Sequence, residues 1–502
     1  MSFIFGFGRR ARAIPALTVA ILLTLVAFPA LVAYAASALQ ISSDPFTQAT
    51  CAASATTYHH TEVEPDTYSN GSTIVATFQV GRVFDGGSCD IGFATSTNNG
   101  GTWTNGLLPG TTTFEGGIYD RISDPSVAFD ARHNTWLISS LALTGASGAA
   151  VLVSQSTNGG TTWANPVTVH AQSGVDKNWI VCDNTSTSTF YGHCYVEWDN
   201  NAAGNLLQMS TSIDGGTTWS APATNNTGVI GGQPVVRPDG TVIVPIDNAN
   251  ETAIGAFNST NGGTSWSAVT TITTIKHHTE AGGLRSGSLP SAEIDGTGTV
   301  YVVWSDSRFR RGGKTNDIVI SNSLNSTGTS WSAVSRVPID RTNSGVDHFI
   351  PGLAVNKATS GSTAQLGLTY YFYPAGTTQL SVGFISSSNA GSTWSTVQTI
   401  ASGMPTTWLA NTSQGRMVGD YISTSYGSDN LAHGVFATAS TPTSGTNCSD
   451  VLDNCLEPMD TFSTGLSAGG SASSVGDPVV VGGGTPSGNL WKVDFNNGKK
   501  HR

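Results

Sequence analysis

Ser96-Thr97-Asn98-Asn99-Gly100-Gly101-Thr102-Trp103 is the stretch from which the fold can be read. Its pattern, Ser-x-(Asn/Asp)-x-Gly-x-(Thr/Ser)-Trp, returns at Ser156–Trp163, Ser212–Trp219, Ser259–Trp266 and Ser387–Trp394. A sixth copy, one residue longer, runs from Ser323 to Trp331. Successive tryptophans lie 47 to 65 residues apart, a spacing that signals a repeat architecture. Each copy has the parts of a tight hairpin. The Asn or Asp side chain can accept from backbone amides two residues on. The glycines supply positive φ. The Trp opens the returning strand and offers a large apolar face to a neighbouring sheet. These residues are read as structural, with no catalytic role.

A second unit precedes each hairpin: a strand opening, often marked by Pro, then a turn and another strand. The openings are Glu64-Pro65, Asp124-Pro125, Asn178-Trp179, Gln233-Pro234, Leu289-Pro290 and Ile350-Pro351, with a seventh, Gly419-Asp420-Tyr421, that lacks Pro. Second strands are expected at Thr135–Ser139, Thr241–Pro245 and Val300–Trp304. Four short strands in about 60 residues make one propeller blade. The expected fold is therefore an all-β propeller of four-stranded antiparallel blades, seven by the openings, with six as the alternative. The seventh blade has no hairpin of this type, and its fourth strand is expected from the N-terminal segment near Leu39–Phe46. Single blades cannot bury both faces alone, so the ring is one domain, placed at 39–465.

Composition agrees. There are 59 glycines and only 11% charged residues, which suits strands and turns over long helices. Net charge is −11 with no basic stripe, so nucleic acid is excluded as a partner. Arg9, Arg10 and Arg12 precede an apolar run from Ala13 to Val32 and the small residues up to Ala38, a secretory signal pattern over 1–38. An uncleaved anchor is the alternative, and the only expected contact with a membrane. The six cysteines point to disulfides in an oxidising compartment, hence a secreted or cell-surface protein. The most local of 15 connectivities pairs Cys182 with Cys194, Cys448 with Cys455 and Cys51 with Cys89; free thiols or a metal site are the alternatives. Residues 466–502 are rich in Gly and Ser and are expected to form a flexible tail.

The repeated hairpins resemble the Asp boxes, or bacterial neuraminidase repeats, of the sialidase superfamily. The resemblance implies a glycoside hydrolase of exo-α-sialidase type acting on glycans with a terminal acidic sugar. It implies three arginines for the sugar carboxylate, a Tyr nucleophile paired with Glu, and an Asp acid/base. The family's Arg-Ile-Pro motif is absent; the nearest string, Tyr119–Pro125, puts Arg121 four residues before Pro. Asp boxes also occur in propellers without catalysis, so a non-catalytic module binding glycans or proteins at the cell surface is the second reading.

In a propeller, residues just before each opening converge on the central channel, and polar residues that break the repeat there mark a site. This gives Asp124 as acid/base with Asp176 as second candidate, and Tyr421 as nucleophile with Glu64 or Asp420 beside it. Arg121, Arg285 and Arg416 are expected to grip the anion. Lys177, Gln233, His348 and Asp420 complete the expected binding residues. Each has a structural alternative: Asp124 as a turn cap, Asp176–Lys177 as a surface ion pair, Asp347–His348 as a hydrogen-bonded pair, and Arg416 with Asp420 as a brace. The runs His59-His60 and His277–Glu280 lack metal-ligand spacing elsewhere, so no metal or cofactor is expected, with a structural calcium left open. Arg308, Arg310 and Arg311 are read as loop charges.

Overall fold

The computed structural model describes residues 1–4, 6, 8, 36–450, 452–469 and 490–493. The chain divides into two units, 1–35 and 36–502. The second unit carries everything below; the expected leader and much of the expected tail lie outside the described residues. No helix among the described residues is long and apolar enough to cross a membrane.

The second unit is built of antiparallel β-sheets, with only short 3-10 turns between them. Seven innermost strands organise it: Thr57–Asn70, Arg121–Asp130, Val175–Cys182, Val229–Gly232 (continued by Val235–Val236), Ser291–Ile294, Asp347–Val355 and Ser423–Tyr426. Each begins a sheet whose later strands pair outward in sequence order. A single bridge, Ser88 to Ile122, joins the first two sheets. The third has three strands; its fourth position holds only two isolated bridges, Met209 with Ala223 and Leu206 with Gly228. Each innermost strand packs against the next, and the seventh packs against the first. Apolar clusters fill the spaces between neighbouring sheets: Trp163 joins Val75 and Phe93 of the first sheet, and Trp266 meets Tyr195 of the third at 6.3 Å between ring centroids.

The hairpin motif folds by a different hydrogen bond from the one expected. Asn98 Oδ1 accepts the amide of Thr102, four residues on rather than two, at 2.9 Å. Ser96 Oγ donates to Asn98 Oδ1 (2.9 Å) and accepts the amide of Gly100 (2.9 Å). Asp214 with Thr218, Asn261 with Ser265, Asn325 with Thr329 and Asn389 with Thr393 repeat the four-residue bond. The turn then docks on the preceding sheet: Thr95 Oγ1 donates to Gly160 O at 2.6 Å, and Gln155 Nε2 to Gly215 O at 2.9 Å.

Of the Pro-marked openings, Leu289-Pro290 and Gln233-Pro234 stand directly before strands, Ser291–Ile294 and Val235–Val236, but the other three are not strand starts. The first begins its strand seven residues earlier, at Thr57, and Glu64-Pro65 falls inside it. Asp124-Pro125 and Ile350-Pro351 likewise lie within their strands. At these points the register slips, between Val63 and Asp66, Ser123 and Ser126, and Phe349 and Gly352. A slip also falls between Asp176 and Trp179. The bulged residues Glu64, Asp124, Lys177 and Ile350 take left-handed φ of 55°, 47°, 50° and 47°. Gly231 and Gly419 hold the corresponding place in the fourth and seventh repeats. A bulge turns one side chain out of the pleat, and so four of the repeats re-aim one residue each.

The seventh sheet takes its outer strand from the N-terminus: Ala38–Gln40 pairs with Met459–Phe462. Ala36 is already part of the core. Leu466–Ser467, assigned by sequence to the tail, pairs with Leu431–Ala437. Further on, Trp491 donates from Nε1 to Thr271 Oγ1 at 2.9 Å on the fourth sheet. The three disulfides are Cys51–Cys89, Cys182–Cys194 and Cys448–Cys455, the most local connectivity.

Candidate functional site

Three of the four left-handed bulge residues, Glu64, Asp124 and Lys177, bring their ionisable side chains into one buried cluster. Arg285, Asp420, Tyr421 and Arg82 join them. Left-handed backbone at a residue with a Cβ costs about 1–3 kcal/mol, and such strain gathers at functional sites. Ile350 has the same backbone but serves the core, so it is the coincidence of strain with charge that singles out this region.

Asp420 is the hub. Arg285 donates to it twice, Nε to Oδ1 at 2.8 Å and Nη2 to Oδ2 at 2.5 Å, and Lys177 Nζ donates to Oδ2. Burial alone would raise the Asp420 carboxyl, but these two cations hold it well below the usual carboxylate range. Lys177 is carried above its ordinary value despite its burial, by Asp420, Asp124 and Glu64. On the facing side, Gln79 Nε2 donates to Ser123 Oγ (3.0 Å) and to Glu64 Oε2, and Ser123 Oγ donates to Asp124 Oδ1 (2.7 Å). The Lys177 amide donates to Asp124 Oδ2 at 3.2 Å. Burial, reinforced by the charges of Asp124 and Asp420, pushes Glu64 up to about 8. Glu64 therefore holds a proton at neutral pH. Three cations, Arg82, Lys177 and Arg285, thus share this region with four acids, Glu64, Asp124, Asp176 and Asp420.

Arg82 donates from Nη1 to Gln79 Oε1 (2.8 Å) and Gly87 O (3.2 Å). Burial and the like charge of Arg285 depress it. Arg82 Nε and Arg285 Nη1 are buried and have no hydrogen-bond partner. Both arginines line one cleft of about 20 Å³ with Glu64, Ser123, Asp124 and Asp176. Arg285 and Asp420 also border a larger cavity of about 260 Å³ with Glu251, Thr279, Leu289 and Gln414. Tyr421 donates from Oη to Pro125 O (3.1 Å) and packs edge-on to Trp179 at 5.0 Å. Burial, then the neighbouring carboxylates, push its phenol well above its ordinary value.

The remaining sequence candidates lie elsewhere or at the margin. Asp176 lines the cleft but is bound by the Lys177 amide (3.1 Å) and Asn201 Nδ2 (3.3 Å). Gln233 borders a cavity with Lys177, Trp179 and Tyr421, and its Oε1 accepts the Ala292 amide at 2.6 Å. Arg121 is outside the cluster: its guanidinium is spent on Ala53 O, Asp85, Gly86 O and Ser54. Arg416 reaches Leu409 O, Ser449 and Asn447. His348 belongs to a separate ion-pair group. With Asp317 and Asp340 it forms a metal-like arrangement, but Arg310 and Arg336 take both carboxylates at 2.5–2.7 Å and supply the positive charge. Burial holds His348 down at about 4, and so neutral.

Sequence reasoning missed Arg82, Gln79 and Ser123. Arg82 carried a signal: it is the one cation in the apolar run Thr73–Val83, a β-strand of buried residues.

A BNR repeat-like domain model matches residues 142–427. The chain belongs to that family. Among solved structures, this BNR repeat-like chain is similar to a Dyadobacter fermentans protein of unknown function, at 15% identity and TM-score 0.45, covering 70% of this chain and 98% of the other. It is similar to the phage phi92 endosialidase at 14% identity and TM-score 0.48, over 90% and 72% of the two chains. A polysaccharide lyase, an ulvan lyase, gives 10% identity and TM-score 0.48 over 86% and 96%. No curated protein matches.

The buried acids fix a pH dependence for the family member in hand. Glu64, Asp66, Asp347 and Asp460 are raised to about 8, 7, 7 and 6, in each case first by burial. The folded chain therefore binds more protons than the unfolded chain between ordinary carboxylate values and pH 8. The stability these groups contribute is complete below about pH 4 and is lost as pH rises through 6–8. Asp420 acts oppositely and loses its contribution in strong acid. Calorimetry is expected to give the highest melting temperature near pH 5, falling toward pH 9.

Proposed function

We propose that the seven sheets are the blades of one seven-bladed propeller, and that Glu64, Asp124, Lys177, Arg285 and Asp420 bind and cleave glycans ending in an acidic sugar. The cyclic packing of the innermost strands supports the ring. The functional reading is carried by one observation: two guanidinium N–H groups, Arg82 Nε and Arg285 Nη1, are buried and unpartnered at a cleft shared with a protonated Glu64. Planar, unpartnered guanidinium N–H donors suit a carboxylate. Three disulfides support an exported location.

In this reading the sugar carboxylate takes over the contacts that Arg285 and Lys177 make with Asp420. A cleft of about 20 Å³ admits no sugar ring until that exchange occurs. Glu64 then gives its proton to the leaving oxygen as the glycosidic C–O bond breaks, and Asp124, oriented by Ser123 and the Lys177 amide, takes a proton from the attacking water. Glu64, rather than Asp124, is thus the acid. The second reading, a binding module without catalysis, draws on Tyr421: a phenol donating to Pro125 O and raised by burial is a poor nucleophile.

The test is hydrolysis of a fluorogenic N-acetylneuraminic acid glycoside beside a panel of aryl glycosides and uronides. Release from the sialoside gives a sialidase; release from another acidic sugar keeps the mechanism and changes the substrate. A folded protein that releases nothing but retains acidic glycans on an array has the second function.

A further inference from the structure

Beside Lys177, the second strand of the third sheet runs into a single 3-10 turn with the sequence Asp199-Asn200-Asn201-Ala202-Ala203-Gly204-Asn205. Oxygen-bearing side chains stand at positions 1, 3 and 7 of this loop, and a left-handed glycine (φ 74°) stands at position 6. Short loops wrap around hard cations with this kind of spacing, the glycine making the sharp turn. Asp176 completes the group from the adjacent strand, directly opposite Asp199 in register.

The four side chains are buried, Asp199 0%, Asn205 1%, Asp176 7% and Asn201 9% exposed. Asn205 Nδ2 donates to Asp199 Oδ2 at 3.0 Å, and Asn201 Nδ2 to Asp176 Oδ2 at 3.3 Å. Yet Asp199 Oδ1, Asn201 Oδ1 and Asn205 Oδ1 are all buried without a hydrogen-bond partner. Orphaned acceptors of this kind carry a desolvation cost that no hydrogen bond offsets. Opposed carboxylates on paired strands also repel. The group has acceptors in excess, and the nearby Lys177 ammonium is committed to Asp420.

We propose that Asp176, Asp199, Asn201 and Asn205 bind a calcium ion. All four donors are oxygen, two of them charged, and neither His nor Cys takes part, which suits a hard cation over zinc or copper. An irregular set of carboxylate and amide oxygens suits calcium over magnesium, which demands a near-ideal octahedron and keeps its water. The ion would brace the loop beside Asp176-Lys177 and so hold the Lys177 bulge. It is independent of whether glycans are cleaved.

The experiment is titration calorimetry of calcium chloride, then magnesium chloride, into the chelator-treated folded chain, with melting curves at each ion. One calcium per chain and a melting temperature raised by about 5 °C are expected, with little response to magnesium. Asn205→Ala is expected to weaken binding roughly tenfold while the chain stays folded. The absence of calcium heat and of any thermal shift in the native chain would overturn the site. So would undiminished binding by folded Asn205→Ala and Asp199→Asn. A melting temperature that tracks pH but ignores calcium would also overturn it, showing that Asp176 and Asp199 share a proton instead.

Discussion

Replacing Asp420 with alanine is expected to destabilise the folded chain by about 3–5 kcal/mol, the range for a buried ion pair deprived of one partner. The substitution leaves two buried cations, Lys177 and Arg285, without the carboxylate that both contact. Arg285 loses a two-pronged contact, and its fixed guanidinium geometry gives it no other carboxylate in the same plane. The cost should shrink when Lys177→Met is added, because one stranded charge is then removed; the two losses are not additive. Asp85→Ala is the contrasting case. Asp85 also pairs with a buried arginine, Arg121, but is 42% exposed, and Arg121 keeps three other acceptors. Its loss is expected to stay within about 1 kcal/mol. Guanidinium denaturation curves, compared at matched slopes, measure these three variants and Lys177→Met alone.

The second large effect is on turnover. Glu64→Gln is expected to lower kcat by about 10²- to 10⁴-fold, the usual contribution of a positioned proton donor, with a much smaller change in KM. Gln keeps the shape and can still accept from Gln79, so the fold should survive. In the native chain the rate should fall as pH rises through about 8, where Glu64 gives up its proton. That alkaline limb should vanish in the variant's residual activity. An unchanged kcat, or a limb that persists in Glu64→Gln, would remove Glu64 from the chemistry.

The sequence and the structure agree where the chain repeats itself. Six copies of a Ser/Asn/Gly/Trp turn have one folding solution, and each could be read without its neighbours. Disulfides between the nearest cysteines followed for the same reason. The openings were legible as positions but not as conformations: Pro65, Pro125 and Pro351 marked the right places, while the left-handed bulges that re-aim Glu64, Asp124 and Lys177 depend on register with a partner strand. The bulges explain why six of the eleven site candidates meet. Arg121, Arg416 and His348 did not: the two arginines found acceptors away from the cluster, and His348 accepts from Arg310. Arg82 lies three residues from Gln79 in a second strand, a place that a rule about openings never visits.

One pairing has a consequence in time. Ser37 and Ser463 share a hydroxyl hydrogen bond (3.2 Å) across 426 residues, and Ala38–Gln40 completes the sheet that ends near Phe462. A chain that folds as it emerges can complete its early sheets one after another, but this strand must wait, with its edge open, until Met459–Phe462 has appeared. Waiting edges recruit wrong partners. The slowest step and the most aggregation-prone interval should therefore coincide in the wait for that partner, and losing Met459–Phe462 should harm Ala38–Gln40 as much as its sequence neighbours.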